Sequence, residues 1–428
     1  MTAQPTFTAE VYQNQYLAAG GRTVDAVVTV TATGSGLPAG DSTTSAAEVV
    51  MVDCSGSMGY PRTRMTEAIK ATGVAIDTLR DGVMFAVVAG RSDARMVYPP
   101  TLNMVPANQQ TRAAAKQAVG RLTPEGGTAI GEWLTLARRL FDGVNAQVKH
   151  AIMLTDGRNQ HESHQQLTEV LRSCEGRYTC DSRGVGQDWV ADELRTVASA
   201  LLGTADGLED PAELPAAFRA MTESAMGKAV ADVKLRVWTP LNSTIRFVKQ
   251  VFPQVEDLTA RRTEVSARIG EYPTGAWGAE SRDYHVSVEV PEGSVGEEML
   301  AARVSLVNGD ESLAQSLVLA NWTDDEALST KINARVAHYT GQAELASAIQ
   351  EGLAAREAGD ESTATAKLGR AVQLANESGH EQTAKLLSRV VDVVDAPTGT
   401  VRLRRDASGV DAELTNVRSV KTIRVKHG

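Results

Sequence analysis

The stretch "AAEVVMVDCSGSMGY", residues 46–60, decides the reading of this chain. A short apolar run, Val49-Val50-Met51-Val52, stops at an aspartate. Asp53, Ser55 and Ser57 then stand at alternate positions, with Gly56 and Gly59 between and beyond them. An apolar run bounded by turn residues reads as a buried strand. In an open parallel sheet such a strand delivers its C-terminal end to the crevice where ligands bind. Asp53 occupies that end, and the two serines lie in the turn that leads to a helix expected from near Arg62.

Two further segments have the same character. "PEGGTAIGEWL" (124–134) places Thr128 after two glycines at a helix start, and "HAIMLTDGRN" (150–159) ends another apolar strand in Asp156. Three hydroxyls and two carboxylates are thus expected at one sheet edge. Such a set, all hard oxygen, suits Mg²⁺, or Mn²⁺ or Ca²⁺, rather than zinc.

Around these segments, residues 46–228 alternate apolar strands with amphipathic helices. Strands are expected at 49–52, 84–90 and 150–156, and helices near 63–80, 108–120, 128–142, 162–173 and 189–202. That alternation predicts βαβ units and a parallel sheet covered on both faces. Residues 229–323 read as successive short strands, the pattern of a β-sandwich. "VDAVVTVTAT" (24–33) is one more half-buried strand, cut off from the others by the Gly/Ser/Thr-rich linker "TGSGLPAGDSTTSA". An isolated strand is not stable. Residues 1–45 are therefore expected to supply a strand and linker to the later sandwich, with the α/β domain inserted in one of its loops.

Residues 324–396 are rich in Ala and Leu at helical spacing, with breaks at Gly359-Asp360 and at 377–379, and predict about three helices in a small bundle. One hairpin of tetratricopeptide character is too little for a solenoid. In the final segment, 397–428, seven basic residues (Arg402, Arg404, Arg405, Arg418, Lys421, Arg424, Lys426) face three acidic ones. It reads either as a solvated basic arm, with Thr415 and Thr422 in a setting that basophilic kinases favour, or as a terminal hairpin of "TVRLRR" with "KTIRVK".

The three motif segments, in this order, resemble the von Willebrand factor A domain and the integrin I domain. Their metal-ion-dependent adhesion site has the pattern Asp-x-Ser-x-Ser, then Thr, then Asp. The resemblance covers about 46–228 and implies that Asp53, Ser55, Ser57, Thr128 and Asp156 hold one divalent metal. In that family the serine hydroxyls, and the threonine in ligand-competent states, bind the ion directly, while one or both aspartates act through water. An ion with so few anionic donors seeks a carboxylate, which a partner's Asp or Glu supplies. The implied fold is a Rossmann-like α/β domain inserted in a sandwich, and the implied function is metal-dependent protein binding without turnover. Family members in bacterial cytoplasm often serve beside AAA+ ATPases or in sets with Ser/Thr kinases and phosphatases, which makes a scaffold or regulator the expected role. A phosphorylated tail would suit a forkhead-associated domain. The enzyme-linked alternative is a non-catalytic subunit of a chelatase-like ATPase.

Other chemistries match less well. Dehalogenase-type phosphatases need an acid two positions after the first aspartate, where this chain has Ser55. Gly56-Ser57-Met58-Gly59 lacks the spacer of a nucleophile elbow. "HESH" (161–164) would need histidine at 165 to be a zinc-protease helix, and Gln165 is there. Cys174, Cys180, His161 and His164 form a conceivable zinc set.

Composition sets the remaining limits. The chain has 428 residues, 42% hydrophobic and 22% charged, with formal net charge −10. Such a balance is globular and does not attract nucleic acid or anionic membrane by bulk charge. No apolar run spans a bilayer and no leader is visible, so the expected location is cytoplasmic. Three cysteines argue against a disulfide framework, although Cys174 and Cys180 lie close enough to pair in an oxidising setting.

Overall fold

The computed structural model describes residues 5–34 and 45–424. Most of the linker expected at 33–46, and the tail residue Lys426, lie outside them. The chain opens with β1 (Thr6–Gln13), β2 (Tyr16–Ala18) and β3 (Thr23–Thr33). The α/β region follows: β4 (Ala46–Asp53), α1 (Thr63–Thr78), β5 (Met84–Gly90), β6 (Ala94–Tyr98), β7 (Val105–Pro106), α2 (Gln109–Val119), α3 (Ile130–Asp142), β8 (Val148–Thr155), α4 (His164–Cys174), β9 (Thr179–Val185), α5 (Ala191–Ala200), β10 (Ala205–Leu208) and α6 (Leu214–Met226). Then come β11 (Val230–Trp238), β12 (Thr244–Phe252), β13 (Glu256–Asp257), β14 (Thr263–Ser266), β15 (Ile269–Trp277), β16 (Ser281–Glu289), β17 (Glu298–Asn308) and β18 (Glu311–Thr323). The C-terminal part holds α7 (Glu326–Ser329), α8 (Ala334–Glu357), α9 (Glu361–Glu377), α10 (Glu381–Val390), β19 (Val391–Asp395), β20 (Thr400–Leu403) and α11 (Gly409–Arg418).

The described residues divide into two compact units, 45–231 with 408–418, and 5–34 with 232–407 and 419–424. The first unit is built on a sheet of order β10-β9-β8-β4-β5-β6, with β7 also on β5. Strands β10 to β5 run parallel, and β6 and β7 are antiparallel to β5. Every residue of β4 is buried, as a central strand with helices on both faces requires. The chain goes from β4 to β5 on one side and returns with β8 on the other. The C-terminal ends of β4 and β8 therefore frame the topological switch point.

The N-terminal ends of the same strands hold a buried charged cluster. His150 Nδ1 lies 2.9 Å from Glu48 Oε1, and Nε2 lies 3.2 Å from Asp181 Oδ2. Burial alone would lower the His150 pKa, but the charge of Glu48 and the hydrogen bond of Asp181 outweigh it and push it up to about 10. Burial pushes Glu48 up. Burial would also raise Asp181, but its bond to His150 and that imidazolium's charge hold it well below the usual carboxylate range.

The second unit is a sandwich. One sheet has order β1-β3-β16-β12-β13 and the other β14-β15-β11-β17-β18-β2. The early strand β3 pairs antiparallel with β16, from Thr23 opposite Glu289 to Thr31 opposite Ser281. Helix α8 packs on this sandwich, where Val336 and Tyr339 join Val27 and Val251 in one buried cluster. Helices α8, α9 and α10 pack on one another as the expected small bundle, within the same compact unit as the sandwich.

The tail is neither a free arm nor the expected hairpin. Strand β20 pairs with β19, and α11 intervenes before "KTIRVK". Within the first unit, Leu414 and Val417 are buried, Glu413 accepts from the Ala191 amide (2.7 Å), and Arg418 Nε donates to Asp206 (2.7 Å). In the second unit, Val420 O accepts from Val255 N (2.7 Å), and Ile423 N donates to Gln342 (3.0 Å). Arg404 bonds Asp406 and Ser388 O, Arg418 bonds Asp206 and Gly207 O, and Arg424 bonds Ser281 and Asp283. Thr415 is 1% exposed, and the half-buried Thr422 donates its hydroxyl to Val251 O (2.6 Å), so both hydroxyls are engaged within the fold. Cys54, Cys174 and Cys180 are free and buried, and among the described residues no helix is long and apolar enough to cross a membrane.

Candidate metal centre

All five motif residues converge at the switch point. Asp53 ends β4 and Asp156 directly follows β8; both are fully buried. Ser55, Ser57 and Thr128, with Arg158 and Asp188, line a cleft of about 290 Å³ above them. Three loops are stitched together by their backbones. Cys54 N donates to Gly90 O (2.7 Å), Gly56 N to Gly126 O (2.9 Å), Glu125 N to Cys54 O (2.7 Å) and His161 N to Thr128 O (3.2 Å). The hydroxyls are aimed by this frame: a Cβ on Gly157 would lie 3.6 Å from Ser57 Oγ and 3.7 Å from Thr128 Oγ1.

Asp53 is held rather than free. Its Oδ1 accepts from Ser55 N (2.7 Å) and its Oδ2 from Thr155 Oγ1 (2.7 Å) and Asp156 N (3.3 Å). Ser55 Oγ and Ser57 Oγ lie 2.9 Å apart, and Ser57 Oγ donates to Asp156 Oδ1 at 2.6 Å. Octahedral coordination at about 2.0–2.1 Å places neighbouring oxygens about 2.9 Å apart, so the serine pair already has the spacing of two adjacent ligands. Electrostatics ask for a cation as well. Burial and then the charge of Asp156 push Asp53 up to about 6. Burial raises Asp156 too, against the hydrogen bonds of Ser57 and Arg64. The residues therefore fit a hard divalent ion.

The conceivable zinc set is not assembled. Cys174 and Cys180 are buried thiols, whereas His161 and His164 are exposed. Among the described residues no group of three or more His, Cys, Asp or Glu side chains is arranged to hold a metal. The "HESH" segment has another task. His161 stacks over Gly127, where a Cβ would come within 1.8 Å of its ring, and the Glu162 carboxylate accepts from the Gly131 (2.8 Å) and Glu132 (3.0 Å) amides at the start of α3. A carboxylate there satisfies otherwise unpaired amides and complements the helix dipole; it anchors the segment that carries Thr128.

Sequence reasoning missed one charged residue at the centre. Arg64, in the first turn of α1, donates from a terminal guanidinium nitrogen to Asp156 Oδ2 at 2.9 Å and approaches Asp188 Oδ2 at 3.4 Å. Arg64 and Asp156 are 92 positions apart, and no local pattern signals such a pair.

Comparison with known proteins decides the family. A solved structure described as von Willebrand factor type A, from Catenulispora acidiphila, is 52% identical, covers 99% of this chain and 98% of its own, and superposes with a TM-score of 0.94. The chain belongs to the von Willebrand factor type A family. Its residues 47–206 match the von Willebrand factor type A domain, and 373–419 match the von Willebrand factor type A C-terminal domain. A curated uncharacterized protein of Synechocystis sp. is 29% identical over 236 residues, 53% of this chain, and the chain spans about half (53%) of that relative's length. The ArnB paralog VWA2 from Sulfolobus acidocaldarius has the same fold at 13% identity, with 97% and 98% coverage and a TM-score of 0.59. Von Willebrand factor A domains bind a divalent metal and, through it, protein partners.

Proposed function

We propose that this chain is a metal-dependent protein-binding module that takes an Asp or Glu of its partner at the centre formed by Asp53, Ser55, Ser57, Thr128 and Asp156. The observation that carries the reading is the pair of serine hydroxyls, 2.9 Å apart over two buried carboxylates at the mouth of the cleft. Ser55, Ser57 and Thr128 would hold Mg²⁺ through neutral oxygens, with Asp53 and Asp156 behind them. Bound there, the ion supplies positive charge that a partner's carboxylate can neutralise.

The centre is read as one of binding and not of turnover. A scaffold or regulatory role beside an AAA+ ATPase or a Ser/Thr kinase set rests on the family resemblance alone. The test is capture of partner proteins on immobilised chain in Mg²⁺, in EDTA, and with Ser57→Ala. Proteins retained only by the unsubstituted chain in Mg²⁺ support the reading. Retention unaffected by EDTA and by the substitution contradicts it.

A further inference from the structure

We propose that Arg64 is a built-in counter-cation: it holds Asp156 in position without metal, and it weakens metal binding until a partner's carboxylate joins the centre. The proposal rests on the metal reading above and adds a regulatory consequence to it.

The placement of Arg64 is costly, which argues that it is specific. The residue is 7% exposed. It lies in the first turn of α1, which contains no acidic residue, and a helix N-terminus disfavours cations. Burying a charge costs several kcal/mol unless it is paired. The fold also makes room for it. Gly186, just beyond β9, has φ +82°, and a Cβ there would lie 2.7 Å from Arg64 Nε and 2.8 Å from Cζ. The guanidinium thus lies against a bare backbone and reaches Asp156 at 2.9 Å and Asp188 at 3.4 Å.

Two consequences follow from this geometry. Asp156 Oδ2 is occupied by Arg64 while Oδ1 stays on Ser57, so the carboxylate keeps its orientation when no ion is present. The same positive charge, one carboxylate away, opposes an incoming dication, because like charges at short range inside a protein repel strongly. A partner's carboxylate restores the charge balance. Partner and metal then raise one another's affinity by the same factor, as linkage requires.

The experiment is Mn²⁺ titration calorimetry and thermal melting, with and without EDTA, on the full chain and on Arg64→Met and Arg64→Lys. Methionine keeps length and apolar packing but removes the charge. The proposal expects Arg64→Met to bind Mn²⁺ about tenfold or more tightly than the unsubstituted chain, corresponding to about 1.4 kcal/mol. It expects this variant to melt lower in EDTA and to recover in Mn²⁺, and Arg64→Lys to keep the original affinity. An Arg64→Met chain that folds only with Mn²⁺ supports the proposal equally. Mn²⁺ binding no tighter than that of the unsubstituted chain, or loss of fold even at saturating Mn²⁺, overturns it and leaves Arg64 a structural strut. Absence of Mn²⁺ binding in the unsubstituted chain and in both variants overturns the metal reading itself, and this proposal with it.

Discussion

Trp133 lies against the bare Cα of Gly90, the last residue of β5: a Cβ at that position would sit 2.4 Å from the indole Cδ2 and Cε2. The indole nitrogen donates to Arg91 O at 2.7 Å, and the Ala129 amide donates to the same oxygen at 3.0 Å. This contact fixes the start of α3, and with it Thr128, against the strand end. Gly90→Ala is expected to cost about 1–3 kcal/mol through overpacking and to weaken metal binding by displacing Thr128. Denaturant unfolding and Mn²⁺ titration on the same variant check both effects; a destabilised variant with unchanged Mn²⁺ affinity contradicts the positioning role.

At the other end of the sheet, His150 carries a pH dependence. Its folded pKa of about 10 is raised above the ordinary value of 6.5. Its contribution to stability is therefore full below pH about 6.5 and lost as pH rises through about 10. Removing the imidazolium leaves Glu48 buried without its partner, at a cost of about 3–5 kcal/mol. His150→Gln is expected to melt well below the unsubstituted chain at pH 6 and to lose less stability between pH 7 and 10. Parallel melting curves across that range would refute the assignment.

The convergence of the five motif residues is more legible in the sequence than the fold around them, for reasons visible in single residues. Asp53 and Asp156 end apolar runs, and Thr128 follows two glycines, so each announces its place locally. Strand β9, "TCDSRGV", escapes notice because Asp181, Ser182 and Arg183 interrupt any apolar run. Asp181 belongs there only because His150 and Thr204 pair with it. Strand β3 could be assigned to the sandwich because an unpaired strand needs a partner, whereas β1, with Ala9, Val11 and Gln13 all half-buried or exposed, has no face that stands out. Helix α11 did leave a signal. Ser408 and Asp411 bond reciprocally, with Asp411 N donating to Ser408 Oγ at 3.1 Å and Ser408 Oγ to Asp411 Oδ2 at 2.6 Å, and this Ser-x-x-Asp spacing marks a helix start. The Arg64–Asp156 pair exists only once α1 and β8 are folded together.

The contribution of α11 to the α/β unit is open to a direct check. Leu414 is 1% exposed and packs by Gly207 in β10. Leu414→Ala is expected to destabilise that unit by about 2–5 kcal/mol. A fragment of residues 45–231 should melt lower than the same unit in the full chain. Identical melting of the two would show that α11 adds nothing.

Burial also bears on modification. The Thr415 hydroxyl donates to Asp411 O at 2.6 Å inside α11, and Thr422 is held at Pro253 and Val251. Incubation of the native chain with a basophilic kinase is expected to leave both unmodified, while a denatured chain or a 408–424 peptide is phosphorylated. Mass spectrometry that finds stoichiometric phosphate on native Thr415 would contradict the docked tail.

The most direct measurement is calorimetric titration of Mg²⁺ into the full chain and into Ser57→Ala, with circular dichroism to confirm that both are folded. Ser57 contributes only its hydroxyl to the centre, bonded to Ser55 and Asp156, so its removal spares the core. The account predicts one Mg²⁺ per unsubstituted chain and no measurable binding by the folded variant; equal binding by the two contradicts it.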